Sequence, residues 1–197
     1  MTNNDWDALR QWCERLASFE VGQWEEWPDI DLYMDQVISY LERYMKTFRI
    51  YEGEKIITPA IINNNTKDGV LPKPVKKKYP RSLLSNLLMF CITRQVLSGQ
   101  ELAAMLRELN QTEDFSEIHA QFGQTLETEL QKTLQIVADE TDELKNTDRR
   151  QLAQIAMKLS LEAFSAGTMA RKILAELGTP PEKAGNEEER FSVKCEV

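Results

Sequence analysis

Apolar residues recur at helical spacing along most of the chain. One such series predicts a short amphipathic helix over residues 5 to 19 and comprises Trp6, Leu9, Trp12, Cys13, Leu16 and Phe19. A second series predicts another helix and comprises Tyr33, Val37, Tyr40, Leu41, Tyr44 and Phe48. Asp29 or Asp31 can cap this second helix. We interpret the tryptophans and tyrosines of both helices as core residues.

The C-terminal half predicts two longer helices, over residues 123 to 144 and 148 to 177. Asp148 is a suitable N-terminal cap for the second, and Gly178 with Pro180-Pro181 ends it. The segment from 111 to 122 carries no clear periodicity. Residues 180 to 197 are polar and acidic, which predicts a disordered tail.

Residues 57 to 81 follow a different pattern. Thr58-Pro59 predicts a helix start, because Thr caps free amides and Pro needs no donor in the first turn. Gly69 ends that helix, and the prolines at 72 and 74 restrict residues 70 to 78 to an extended segment or tight hairpin. Pro80 then opens a long apolar helix reaching about Leu97. Ser98-Gly-Gln-Glu101 is a capping box for a further helix ending at Leu109.

These elements predict an all-α fold with one short turn or wing. The chain has 197 residues, of which 42% are hydrophobic and 28% charged. No run of about 18 apolar residues exists, so we expect no membrane span, and the N-terminus lacks a signal-peptide pattern. Three widely spaced cysteines, Cys13, Cys91 and Cys195, favour a reducing, cytoplasmic setting and no zinc site.

Positive charge is concentrated in one part of an acidic chain. The net charge is -8, yet residues 49 to 94 carry nine Lys/Arg and three acidic residues. The remainder carries 15 basic and 29 acidic residues. A basic patch on an acidic body is typical of a DNA-binding module joined to a regulatory or dimerisation part.

The basic segment has the residue types that DNA recognition needs. Asparagine can pair with adenine through two hydrogen bonds, and Asn63, Asn64 and Lys67 fit one face of the helix at 58 to 68. Lysines on a proline-stiffened turn can neutralise phosphates. The predicted DNA-binding residues are Thr58, Asn63, Asn64, Lys67, Lys73, Lys76, Lys77, Lys78, Tyr79 and Arg81.

The order of these features resembles the winged helix of mercury-resistance-regulator (MerR) type proteins. The matching motifs are Thr58-Pro59, Gly69-Val70-Leu71-Pro72, Lys76-Lys77-Lys78-Tyr79 and Val96-Leu97-Ser98. Where those proteins carry Arg-Tyr-Tyr, this chain has Asn63-Asn64-Asn65. The chain resembles more closely a bacterial family, domain of unknown function 1836, over about residues 30 to 110. The motifs are DLYMDQVISYLE, TPAIINNNTKDGVLPKPVKKKYPR and CITRQVLSGQEL. This resemblance implies a MerR-like DNA-binding domain and no particular effector.

Two other functional classes, a protein-binding adaptor and an enzyme, compete with the DNA-binding hypothesis. The rival is a helical protein-protein interaction adaptor without DNA binding, whose basic segment docks an acidic partner or its own acidic helices. A weaker alternative is a carboxylate enzyme built on Glu140 and Glu143. His119 has no catalytic partner pattern, and we interpret it as structural. No phosphate-binding loop or nucleophile motif is present, so we expect neither enzymatic activity nor a cofactor.

The sequence therefore predicts a transcriptional regulator that binds double-stranded DNA as a homodimer. Residues 1 to 110 would form the N-terminal helices and the winged-helix module, 111 to 178 a helical regulatory or dimerisation part, and 179 to 197 the tail. A small-molecule pocket among the N-terminal tryptophans fits this scheme, but its ligand is not indicated.

Overall fold

Seven α-helices account for most of the residues that the structure describes. It is a computed structural model and describes residues 6–111, 114–141 and 147–177. The helices are α1 (Asp7–Ala17), α2 (Met34–Met45), α3 (Pro59–Lys67), α4 (Arg81–Thr93), α5 (Gly99–Leu109), α6 (Phe115–Glu140) and α7 (Arg149–Glu176). In these ranges, β structure amounts to two isolated bridges, which confirms the all-α prediction. None of the described helices is long and apolar enough to cross a membrane.

Helix α4 lies at the centre of the molecule. Its residues 83 to 91 are all buried, as expected of a helix that is apolar on every side. Helices α5 and α6 pack on it, and α7 packs on α5 and α6. The rest of the core comes from α2, α3 and the intervening loops, including Trp27, Leu41 and Ile62. Trp27 and Cys91 are buried, whereas Tyr33 is 52% exposed, so the core interpretation was wrong for Tyr33.

Local capping signals set several helix starts as predicted. The Thr58 hydroxyl accepts a hydrogen bond from the Ile61 amide at 3.2 Å. Glu101 closes the capping box of α5, where its carboxylate accepts from the Ser98 amide at 2.7 Å. The Asp148 carboxylate accepts from the Gln151 amide at 2.8 Å. Each contact satisfies an amide that the helix itself leaves free.

Two predicted helix starts were wrong. Helix α2 begins after Tyr33, whose amide donates to the Gln36 side chain at 2.9 Å, so neither Asp29 nor Asp31 caps it. The chain there is extended because Leu32 pairs with Tyr79. Helix α6 begins at Phe115 rather than 123, because the Asp114 carboxylate accepts from the Glu117 amide at 3.2 Å.

Helix α4 also ends earlier than predicted. It stops at Thr93, and a turn of residues 94 to 97 leads to Ser98, whose capping position requires an extended backbone. Three predictions lie outside the described residues: residues 142 to 144 of the helix predicted over 123 to 144, the stop of the last helix at Gly178, and the tail.

A buried histidine connects three parts of the fold. The His119 Nδ1 atom lies 2.9 Å from the Ser85 hydroxyl, and Nε2 lies 3.1 Å from the Gly22 carbonyl oxygen. A carbonyl can only accept, so Nε2 carries the proton and Nδ1 accepts from Ser85. The ring also packs edge-on against Trp27, with 4.6 Å between centroids. The prediction that His119 is structural agrees with this position, where it joins α4, α6 and the loop at Gly22.

Acidification should destabilise the protein through His119. Burial lowers the pKa of its imidazole below the ordinary value of 6.5, and the hydrogen bond to the Gly22 carbonyl and the charge of Glu25 offset this only in part. The unfolded chain therefore binds the extra proton first, and the free energy of unfolding falls as pH drops through about 6.5. Urea unfolding at pH 7.5 and 5.5 measures this. The loss of unfolding free energy between the two pH values should be smaller in His119→Gln. An equal loss in both proteins would show that His119 is not the group responsible.

Candidate nucleic-acid interface

Helix α3 has one polar face that the fold leaves free. Asn63, Asn64 and Lys67 are exposed and lie on the same side of the helix, while Ile62 on the opposite side is buried completely. Asn65, on the inner side, donates from its side chain to the Ile61 carbonyl at 2.8 Å. The three α3 side chains that the sequence pattern predicted to share one face therefore do lie on one face. Thr58 lies at the start of the same helix, where its hydroxyl is engaged in capping.

The end of α3 turns the chain directly into the basic segment. Gly69 has a positive φ of 79°, a conformation that glycine adopts at little cost. The Val70 amide donates to the Asn65 carbonyl at 2.9 Å and the Gly69 amide to the Thr66 carbonyl at 3.3 Å, which is the Schellman pattern. Val70 and Leu71 are then buried. These two side chains fix where the basic segment leaves the core.

The basic segment folds back on itself in a tight turn, which we call the basic hairpin (residues 70 to 79). Val75 and Lys78 exchange both main-chain hydrogen bonds, at 3.1 and 2.9 Å. Lys76 and Lys77 between them have positive φ angles of 50° and 65°, as in a type I′ turn. A non-glycine residue in this region costs about 1–3 kcal/mol. The turn therefore places two lysines where Asn-Gly would be the more stable pair.

The lysines of the hairpin project away from the core. Lys73, Lys76 and Lys77 are exposed, and Lys78 is half-buried with its amino group 5.5 Å from the centre of the Tyr33 ring. Across the described ranges, no carboxylate forms an ion pair with Lys67 or with these four lysines. Their charges are thus available to an external anion.

The last two predicted site residues hold the hairpin in place. Tyr79 is buried and exchanges main-chain hydrogen bonds with Leu32 at 2.8 and 3.0 Å, and burial raises the pKa of its hydroxyl. Arg81 donates from Nε to the Pro28 carbonyl at 3.1 Å, and its guanidinium lies over the Trp24 ring. Sequence reasoning missed these partners because they lie about 50 residues away along the chain.

The residues considered for other chemistry lie elsewhere. Glu140 is exposed and pairs with Lys158 at 2.7 Å, whereas Glu143 lies outside the described residues. No group of three or more possible metal ligands occurs within residues 6–111, 114–141 and 147–177. The acidic groove beside the loop at Gly22 is lined by glutamates that include Glu25, Glu117 and Glu127, and the basic hairpin does not pair with them.

The fold and site define an all-α protein that presents a basic hairpin beside an exposed polar helix face. The chain belongs to the family Domain of unknown function (DUF1836), whose model matches residues 22–127. The resemblance inferred from the sequence is therefore confirmed for this family. The matched region contains α2 to α5, the basic hairpin and the first half of α6. No curated protein and no solved structure matches the chain.

Replacing the strained lysine pair should stabilise the protein. Lys76→Asn combined with Lys77→Gly supplies the residues that a type I′ turn favours. We expect the free energy of unfolding to rise by about 1–2 kcal/mol, measured by urea unfolding. The matched control is Lys76→Ala with Lys77→Ala, which removes the same charges but keeps the strained backbone and should not stabilise. Destabilisation by Asn-Gly would contradict the turn geometry.

Proposed function

We propose that the protein is a DNA-binding transcriptional regulator in which α3 and the basic hairpin act as a MerR-like winged helix. The observation that carries the proposal is that the exposed Asn63, Asn64 and Lys67 face of α3 is followed, after the turn at Gly69, by hairpin lysines that have no acidic partner among the described residues. Helix α3 enters the major groove, and the hairpin lies along the flanking backbone. The polar side chains of both parts lie outside the core.

The two parts have separate roles in recognition. Asn63 and Asn64 supply the amide groups that can pair with an adenine edge, and they provide sequence preference. Five lysines meet phosphates, which gives affinity with little sequence information: Lys67, Lys73, Lys76, Lys77 and Lys78. Tyr79 and Arg81 contribute by fixing the hairpin against Leu32, Pro28 and Trp24.

Selection of random duplex DNA by the purified protein, at two salt concentrations, tests this proposal. We expect a recovered motif, and an affinity whose logarithm falls with the logarithm of salt at a slope of about -4 to -5 if five cations meet phosphates. Changing Lys76, Lys77 and Lys78 to Glu should abolish binding. Changing Lys46, Lys132 and Lys172 to Glu alters the net charge equally, away from the hairpin, and should leave most of the binding intact.

A single substitution on α3 separates base contacts from phosphate contacts. Asn64→Ala should weaken binding to the recovered motif by about 1–3 kcal/mol and leave the salt slope unchanged. Enrichment of DNA without a motif would reject sequence-specific regulation. No retention of DNA even at low salt would reject the proposal and favour the protein-binding adaptor. In that case, changing the three hairpin lysines to Glu would still impair capture of the protein partner.

Helix α7 supports the proposal that the regulator is a homodimer. Met157, Leu161 and Phe164 form one stripe along it and are 61%, 61% and 67% exposed. Met169 and Ile173 further along are also exposed. An exposed apolar stripe like that of Met157, Leu161 and Phe164 marks protein interaction sites, and two copies of one helix can cover each other about a two-fold axis. A dimer would also match the two half-sites of a palindromic operator.

Polar substitution in this stripe should produce a monomer. Phe164→Ser combined with Leu161→Ser removes two of the three apolar side chains of the stripe without disturbing the buried face of α7. Sedimentation velocity should show a dimer for the unmodified protein and a monomer for the variant, with unchanged far-UV circular dichroism. Glu162→Ser on the same helix is the control. A monomeric unmodified protein at concentrations of about 100 µM, well above a typical micromolar dissociation constant, would contradict the dimer.

A further inference from the structure

A cavity of about 730 Å³ lies between α1, α4, α6 and α7 and is closed on one side by the connector from α2 to α3. This volume falls within the range of small-molecule sites. We propose that the cavity binds an uncharged, hydrocarbon-rich small molecule. The inference concerns a region apart from the basic hairpin and does not depend on DNA binding.

The walls of the cavity are apolar side chains from every surrounding element. Helix α1 contributes Trp12 and Leu16, and α4 contributes Cys91 and Ile92. The remaining apolar wall residues are Leu9, Met45, Phe48, Ile50, Ile56, Leu130, Leu134, Val137, Leu152, Ile155, Ala156 and Leu159. Most of these side chains are only half-buried, because one side of each faces the cavity. A ligand would complete their burial.

The electrostatics of the wall select an uncharged ligand. Burial raises the pKa of the Cys91 thiol to about 12 and that of Cys13 above its ordinary value, so both are neutral at physiological pH. The charged lining residue is Glu54, which is exposed and accepts a hydrogen bond from the Ile50 amide at 3.3 Å. An anion would therefore meet a carboxylate and no cation, and burying it would be costly.

A few polar groups can orient the ligand. The lining includes the Gln95 amide and the Thr133 hydroxyl. A wall of apolar side chains with a small number of polar groups is typical of small-molecule sites. The C-terminal segment 178 to 197 is a poor alternative occupant, since eight of its 20 residues are charged. A neutral molecule with one or two hydrogen-bonding atoms fits the lining better.

Two fluorescent probes that differ by one charge test the proposal. N-phenyl-1-naphthylamine is neutral, and 1-anilinonaphthalene-8-sulfonate has the same ring system with an anionic group. The neutral probe should bind the full-length protein saturably with one equivalent per chain and raise its melting temperature as the free probe concentration increases. The sulfonate should bind at least about tenfold more weakly. Equal binding of both probes, or no saturable binding of the neutral one, would overturn the proposal.

Substitutions that fill the cavity locate the binding site. Ala156→Phe on α7 and Val137→Trp on α6 place bulk in the cavity from two sides, and each should weaken the neutral probe about tenfold or more. Ala138→Phe adds the same bulk beside Val137 but outside the cavity and should have no effect. Phe164→Ser tests the exposed stripe of α7. Loss of binding in Phe164→Ser, or normal binding in both filled variants, would show that the probe binds elsewhere and refute the cavity.

Discussion

Burial of α4 on every side is the constraint on which the rest of the structure depends. A helix with no solvent-facing side must be covered by other elements all round, and this draws α5, α6 and the loop carrying Trp27 against it. Its one buried hydroxyl, Ser85, would be costly without a partner. His119 supplies that partner through Nδ1 and donates from Nε2 to the Gly22 carbonyl. These two hydrogen bonds therefore fix how α6 and the N-terminal loop pack against α4.

The same packing determines what remains exposed. Helix α3 is attached through Ile62, and the basic hairpin through Val70, Leu71 and Tyr79, all of which are buried. The polar side chains of α3 and the hairpin lysines consequently face outward from fixed backbone positions. Conformational strain at Lys76 and Lys77 lowers stability. A functional need for positive charge at the turn, such as the DNA-binding proposal requires, would explain why lysines occupy positions where asparagine and glycine would be more stable.

The features that could be predicted from the sequence are those that depend on neighbouring residues. Thr58-Pro59, Gly69 and the Ser98 capping box each act within four residues, and the structure has α3 and α5 where they indicate. The start of α2 after Tyr33 was not predicted. The chain before Tyr33 is extended because Leu32 pairs with Tyr79, which lies 47 positions further along the chain. The sequence raised a pocket among the N-terminal tryptophans, and Trp12 does line the cavity, but its other walls were missed because they come from several helices that no local pattern brings together.

The position of the cavity gives a physical route between a ligand and α3. Ile50, Glu54 and Ile56 line it, and Ile56 precedes the capping residue Thr58 by two positions. A ligand that buries Ile50, which is 73% exposed, would restrict the connector that sets the start of α3. If both proposals hold, the coupling must be reciprocal, because DNA that favours one position of α3 changes the affinity for the ligand by the same factor. Since α4 is packed on every side and the buried Ile62 anchors α3, the connector is the part that can respond.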